Sequence, residues 1–164
     1  MKDFDDIFIS NIEFSKNFVS NGQTGFANRG LAIVTCIDSR IAPLAIVGMQ
    51  PGDAKIMRNA GARVTEDVLR TLVLATALLG VDRILVMPHT DCRMASGSEE
   101  EIHQAILEKT GIDSRAIEIR TVRDQISALK LDIQRIKSSP HLPDGISVVG
   151  AIYDVNSGVL NKVE

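Results

Sequence analysis

At 164 residues the chain has the length of one domain, 1–164, able to bury a full core without staples. Its 24% charged residues, net charge of −3 and scattered basic side chains exclude a nucleic-acid surface, and one Tyr, five Phe and no Trp exclude base-stacking platforms. No apolar run reaches the roughly 18 residues of a membrane span, and the acidic start from Met1 to Asp6 lacks a signal pattern, so the protein reads as cytoplasmic with no membrane partner.

Residues 1–30 form an N-terminal arm in which Ile7, Phe8, Ile12, Phe14 and Phe18 fall loosely at helical spacing. Such a helix suits packing on the body or on a partner subunit. Leu31 to Cys36 reads as the first strand, a buried apolar run that switches abruptly to Cys36-Ile37-Asp38-Ser39-Arg40. A short helix over 41–48 tolerates Pro43 in its first turn, and Pro51-Gly52-Asp53 is a turn. Ala54 to Met57 is a second strand, ending at Arg58-Asn59-Ala60-Gly61.

Thr65 is a helix cap, with Glu66 and Asp67 placed to complement the helix dipole. Val68 to Leu79 is apolar on nearly all faces and closes at Gly80, which points to a core helix or a subunit interface. Val81 to Met87 is a further strand, apolar enough to be covered on both faces. It leads into His89-Thr90-Asp91-Cys92. Ser98-Glu99-Glu100-Glu101 is a capping box opening a helix through Lys109. A short strand over Ile117–Ile119, a helix from Thr121 to Lys137, and a final hairpin of Ile146–Tyr153 and Val159–Val163 complete the chain.

Strands alternating with helices predict an α/β fold, with a mainly parallel central sheet flanked by helices and an antiparallel C-terminal strand. In such sheets function gathers at the carboxyl ends of the strands, where both Cys36 and His89 fall. Two cysteines and three histidines cannot build a closed four-Cys site, but they allow three ligands with an open position. His89-x-x-Cys92 can chelate one ion across a tight turn, with Cys36 as a remote third ligand. Two thiolates and an imidazole select Zn2+ over calcium or magnesium.

Each part has a plainer alternative. Cys36 alone reads as a core thiol, His89 as a strand-end residue, and Asp38 with Arg40 as a surface ion pair. A lone Cys36–Cys92 disulfide also remains open. The combination favours metal. In that setting an Asp38–Arg40 pair would hold Asp38 ionised, ready to accept a hydrogen bond from a zinc-bound water or hydroxide.

The set C-I-D-S-R at 36–40, R-N-A-G at 58–61 and H-T-D-C at 89–92 closely resembles the β-class carbonic anhydrases, above all their small bacterial and mycobacterial branch. The resemblance implies a zinc enzyme interconverting carbon dioxide and water with bicarbonate and a proton. Cys36, His89 and Cys92 would bind the metal, and Asp38 and Arg40 would be the catalytic dyad. It implies the family's fold and a homodimer or homotetramer with active sites near the dimer interface. It also leaves room for carbonyl sulfide or carbon disulfide hydrolysis on the same site, or for a zinc-stabilised scaffold closed by Asp38.

The chain departs from the pattern of the family it resembles at several positions. Ile33 stands where some relatives carry a Trp that, with the Arg58 equivalent, holds regulatory bicarbonate. Ala27 replaces a plant-type substrate Gln, and Arg93 replaces the Gly common after the second Cys. His103 reads as a helix-surface residue and His141 as a loop residue, so neither is assigned as a proton shuttle.

Overall fold

The computed structural model describes residues 4–20 and 22–164. Its strands are β1 (Leu31–Cys36), β2 (Ala54–Asn59), β3 (Arg83–Met87), β4 (Ser147–Tyr153) and β5 (Leu160–Val163). They form one sheet in the order β2-β1-β3-β4-β5. The first four strands are parallel, and β5 returns antiparallel to β4. The expected α/β architecture is present.

Every residue of β1 is buried, as its unbroken apolar run requires for a strand covered on both faces. Ala32 and Val34 join the cluster that contains Leu72, Val86, Leu129 and Ile136, whereas Leu31 and Ile33 join Ile41 and Met87 on the other face. That alternation is the period-2 pattern of a strand.

The chain leaves β1 through α2 (Pro43–Ile46) to β2 on one side. It then runs through α3 (Glu66–Leu78) to β3 on the other side of β1, and on to β4. Connections from β1 and β3 therefore diverge, which opens a crevice between their carboxyl ends.

The helix ends follow the sequence signals. Thr65 accepts from the Val68 N–H, and Gly80 beyond α3 has a φ of 73°. The capping box of Ser98 and Glu101 opens α4 (Glu99–Thr110), and Gly111 closes it. On α3, Val68, Leu72 and Ala75 are buried while Leu74 and Leu78 remain exposed. The N-terminal helix α1 (Asp5–Lys16) is also present, and all of its residues are exposed. Where α5 (Gln125–Lys137) crosses β4, Gly150 gives the helix its room: a Cβ there would stand 2.6 Å from Ile133 Cδ1 and 2.9 Å from Leu129 Cγ, so these side chains would have to shift.

Two expectations fail in the segment before α5. Residues 117–119 form no strand, because the Ile119 N–H donates to the Glu99 carboxylate instead of to a neighbouring chain. The last helix begins at Gln125 and not at Thr121. The Val122 N–H is committed to the Met94 carbonyl, and Asp124 caps the helix by accepting from the Ile126 and Ser127 N–H groups. Among the described residues, no helix is long and apolar enough to cross a membrane.

Candidate metal centre

Cys36 is the last residue of β1, and His89 lies just past β3 on the adjacent strand end. Two backbone bonds fix the His89 turn to β4: the Tyr153 N–H donates to the Pro88 carbonyl, and the Thr90 N–H donates to the Tyr153 carbonyl. Asp91 follows with a φ of 54°, a left-handed conformation that Asp tolerates better than most residues, and the turn ends at Cys92. The Cys36 and Cys92 sulfurs lie 3.9 Å apart. One ligand atom from each of Cys36, His89 and Cys92 lies within 4.8 Å of the others, and all three residues are buried.

The proton arrangement suits a cation. His89 Nδ1 is 2.8 Å from the Thr90 carbonyl oxygen, which can only accept, so Nδ1 carries the proton. Nε2 then presents its lone pair. It is buried and, among the described residues, without a hydrogen-bond partner, a condition that costs about 1–3 kcal/mol unless something fills it. A metal ion would. The orientation of a ligating imidazole by a carbonyl on its far nitrogen is the usual supporting arrangement at metal sites.

The sulfurs are prepared in the same way. The Gly61 N–H donates to Cys36 Sγ at 3.4 Å. Gly61 has a φ of 80°, and a Cβ there would meet Met94 Cβ at 3.1 Å, so the close approach needs glycine. Burial, and secondarily the neighbouring Cys36, pushes the Cys92 thiol up to about 11. A cation between the two sulfurs would reverse that penalty. Two sulfurs and one imidazole nitrogen form a soft-to-borderline donor set that fits zinc.

Beside this cluster stands the ion pair expected from the C-I-D-S-R stretch. Arg40 Nε and Nη2 donate to Asp38 Oδ1 and Oδ2 at 3.0 and 2.7 Å, and the Arg40 main-chain N–H donates to Oδ1 at 2.9 Å. These side-chain and backbone bonds hold the Asp38 carboxyl well below the usual carboxylate range. Asp38 Oδ2 lies 3.9 Å from His89 Nε2, bordering the place a metal would occupy.

Arg58 is committed to the same loop. Its guanidinium donates to the carbonyls of Cys36, Asp38 and Ile41 at 2.8, 2.6 and 3.3 Å. Ile33 is wholly buried in β1.

Comparison with known proteins agrees with this geometry. The carbonic anhydrase family model matches residues 31–125, which include every motif residue named above. β-Carbonic anhydrase 1 of Mycobacterium tuberculosis is 31% identical over 160 residues, covering 97% of this chain and 96% of that protein. The chain belongs to the β-carbonic anhydrase family. The crystal structure of the carbonic anhydrase from Streptococcus mutans superposes with a TM-score of 0.91 at 34% identity, over 100% of this chain and 99% of that one. A carbon disulfide hydrolase of Acidianus sp. (strain A1-3) is 30% identical over 159 residues, covering 82% of this chain and 78% of that protein.

Within this β-carbonic anhydrase, sequence reasoning missed several residues that organise the centre. Gln125 donates to the His89 carbonyl at 2.8 Å from the first turn of α5. The Arg58 clamp was not anticipated; its position in the R-N-A-G motif was the available signal. Asp91 takes Arg40 Nη1 on its carboxylate and Nη2 on its carbonyl, at 2.8 and 3.1 Å. His103 is corrected. It lies buried, with Nδ1 2.8 Å from Ser114 Oγ, because the loop after α4 folds over it. Arg93 and His141 are exposed.

Proposed function

We propose that this chain is a zinc-dependent carbonic anhydrase, one domain that interconverts carbon dioxide and water with bicarbonate and a proton. Cys36, His89 and Cys92 would hold the ion. The observation that carries the reading is the buried His89 Nε2, unpartnered among the described residues and facing two sulfurs, with an ionised Asp38 alongside. When bound, zinc supplies a Lewis acid that makes a water nucleophilic at neutral pH.

The chain's own residues do the rest. Arg40 occupies Asp38 from one side through Nε, Nη2 and its main-chain N–H. Asp38 therefore remains a carboxylate at neutral pH, and the remaining lone pair of Oδ2 can accept a hydrogen bond from the attacking oxygen. That hydrogen bond orients the oxygen toward the substrate carbon and keeps a defined acceptor where the proton must be held. Arg58 fixes the main chain of the loop through three carbonyls, which limits the swing of Asp38. Because Arg58 is engaged there and Ile33 is buried, bicarbonate regulation through those two positions is not part of the reading.

A second reading is carbon disulfide hydrolysis at the same site, favoured by the Acidianus relative. Both substrates are linear triatomics attacked at carbon. The greater reciprocal coverage of the mycobacterial relative favours carbon dioxide. Stopped-flow hydration of carbon dioxide, set beside hydrolysis of carbon disulfide and carbonyl sulfide by the same zinc-loaded preparation, separates them. The proposal expects carbon dioxide turnover to exceed the others by orders of magnitude. Preferential sulfide release would overturn it in favour of the second reading.

We also propose a homo-oligomer, because Ile7, Phe8, Ile9, Ile12 and Phe14 of α1 are all exposed. Light scattering should then show a dimer or tetramer, and a monomer would refute this. Two free thiols reserved for a metal fit a reducing compartment, which supports a cytoplasmic location.

A further inference from the structure

Arg40 is held from two sides. One edge of its guanidinium forks onto Asp38, and the other donates to the Asp91 carboxylate through Nη1 at 2.8 Å and to the Asp91 carbonyl through Nη2 at 3.1 Å. Asp91 is part of the metal-binding turn itself, between His89 and Cys92, and its φ of 54° belongs to that turn. The Arg40–Asp91 hydrogen bonds therefore tie the loop after β1 to the loop after β3 at the level of the ligands.

The tie matters because the Asp38–Arg40 pair, although bidentate, stays open to solvent on the Arg40 side. Its side chains are 19% and 45% exposed, so it holds the long arginine only in part, and Asp91, itself 74% exposed, adds a second hold of modest strength. Without a second anchor Arg40 would spend time in solvent. Asp38 would then face a bound dication with no competing cation, and its carboxylate would be drawn toward the position that water needs.

We propose that Asp91 is a positioning residue: it anchors the Arg40 guanidinium to the metal-binding turn, so that Asp38 stays paired with Arg40, beside the fourth ligand position and not in it. The inference rests on the dyad role proposed above for Asp38 and Arg40. Asp91 touches neither substrate nor metal in this role. It acts through Arg40, and the left-handed backbone of the turn places its carbonyl and carboxylate on one guanidinium.

The test uses Asp91→Gly, which removes the carboxylate while suiting the left-handed φ, in the full chain and again in an Arg40→Met background. Without the carboxylate that takes Arg40 Nη1, kcat/KM for carbon dioxide hydration should fall roughly three- to fivefold, at unchanged zinc content. In the Arg40→Met background the same substitution should cost less than about twofold, since the anchor then has nothing to hold. An equal loss in both backgrounds, or loss of zinc from Asp91→Gly, would show that Asp91 only shapes the turn and would overturn the proposal.

A second readout needs no metal. In 15N-labelled apoprotein, solvent exchange of the Arg40 Nε–H should quicken severalfold in Asp91→Gly, and an unchanged rate would also overturn it. Failure of the carbonic anhydrase reading would look different. Zinc-loaded wild-type protein would then be inactive toward carbon dioxide while the exchange measurement still reported on Asp91.

Discussion

Replacing Asp38 with Asn separates the chemical role of this carboxylate from its structural one. Asp38 accepts three hydrogen bonds from Arg40, two of them from the guanidinium at 3.0 and 2.7 Å. An Asn of the same size keeps one acceptor oxygen but turns an NH2 group toward either Arg40 or the fourth ligand position. One charge-assisted bond is lost, and a donor replaces an acceptor where the proposed mechanism orients the attacking oxygen. Loss of a positioned proton acceptor typically costs about 10²–10⁴ in rate, so kcat/KM should fall by at least about 100-fold. Stability should change little, by about 1 kcal/mol or less, because the pair is partly exposed at 19% and 45%.

The sign with pH follows from the lowered carboxyl. The Asp38 contribution to stability is fully present above the unfolded value of about 3.9 and fades as pH falls through the lower folded value. Variant and wild type should therefore differ slightly at pH 7 and converge in strong acid. The assay is stopped-flow hydration with zinc content and thermal melts on the same samples. Activity within about threefold of wild type would refute the acceptor role, and loss of zinc would show that Asp38 supports the ligands instead.

Three further outcomes are expected. Arg58→Met removes the donors that hold the carbonyls of Cys36, Asp38 and Ile41, and should weaken zinc affinity about 10- to 100-fold in a chelator competition, with partial rescue in Arg58→Lys. Gly150→Ala should cost about 1–3 kcal/mol in denaturant melts, because its Cβ would collide with Ile133 and Leu129 where α5 crosses β4. Zinc uptake should release a proton from Cys92, whose thiol burial pushes up to about 11, so apparent affinity should rise at least about tenfold per pH unit between pH 6 and 8. A pH-independent affinity would contradict that assignment of protons.

The strand ends that carry the site were legible because β1 and β3 are short apolar runs that end abruptly in polar residues. The caps at Thr65 and Ser98 were legible for a similar reason: local hydrogen bonds of fixed spacing decide them. The segment 112–124 was not. Its alternation of Ile117 and Ile119 mimics a strand, yet Ile117 is exposed, Arg120 has a φ of 62°, and the Ile119 N–H finds a side chain on α4. Period alone does not show where a backbone donor goes.

His103 failed likewise, since its cover comes from Ser114 in a loop that no periodicity describes. At the candidate metal centre the three clustered residues could be singled out from spacing, whereas Asp91 could not be paired with Arg40. The two are 51 residues apart, and their pairing depends on a left-handed backbone at Asp91 that no residue type announces.

If Cys36, His89 and Cys92 hold a zinc ion on which carbon dioxide hydration depends, activity must follow the metal. The most direct measurement is to strip the wild-type protein with a chelator, titrate zinc back, and follow hydration against bound metal in Cys36→Ala and wild type together. Wild-type activity should disappear and return in proportion to zinc, saturating at one ion per chain, while Cys36→Ala neither retains zinc nor recovers. Full activity in the stripped protein, or one tightly held zinc in Cys36→Ala, would contradict the assignment.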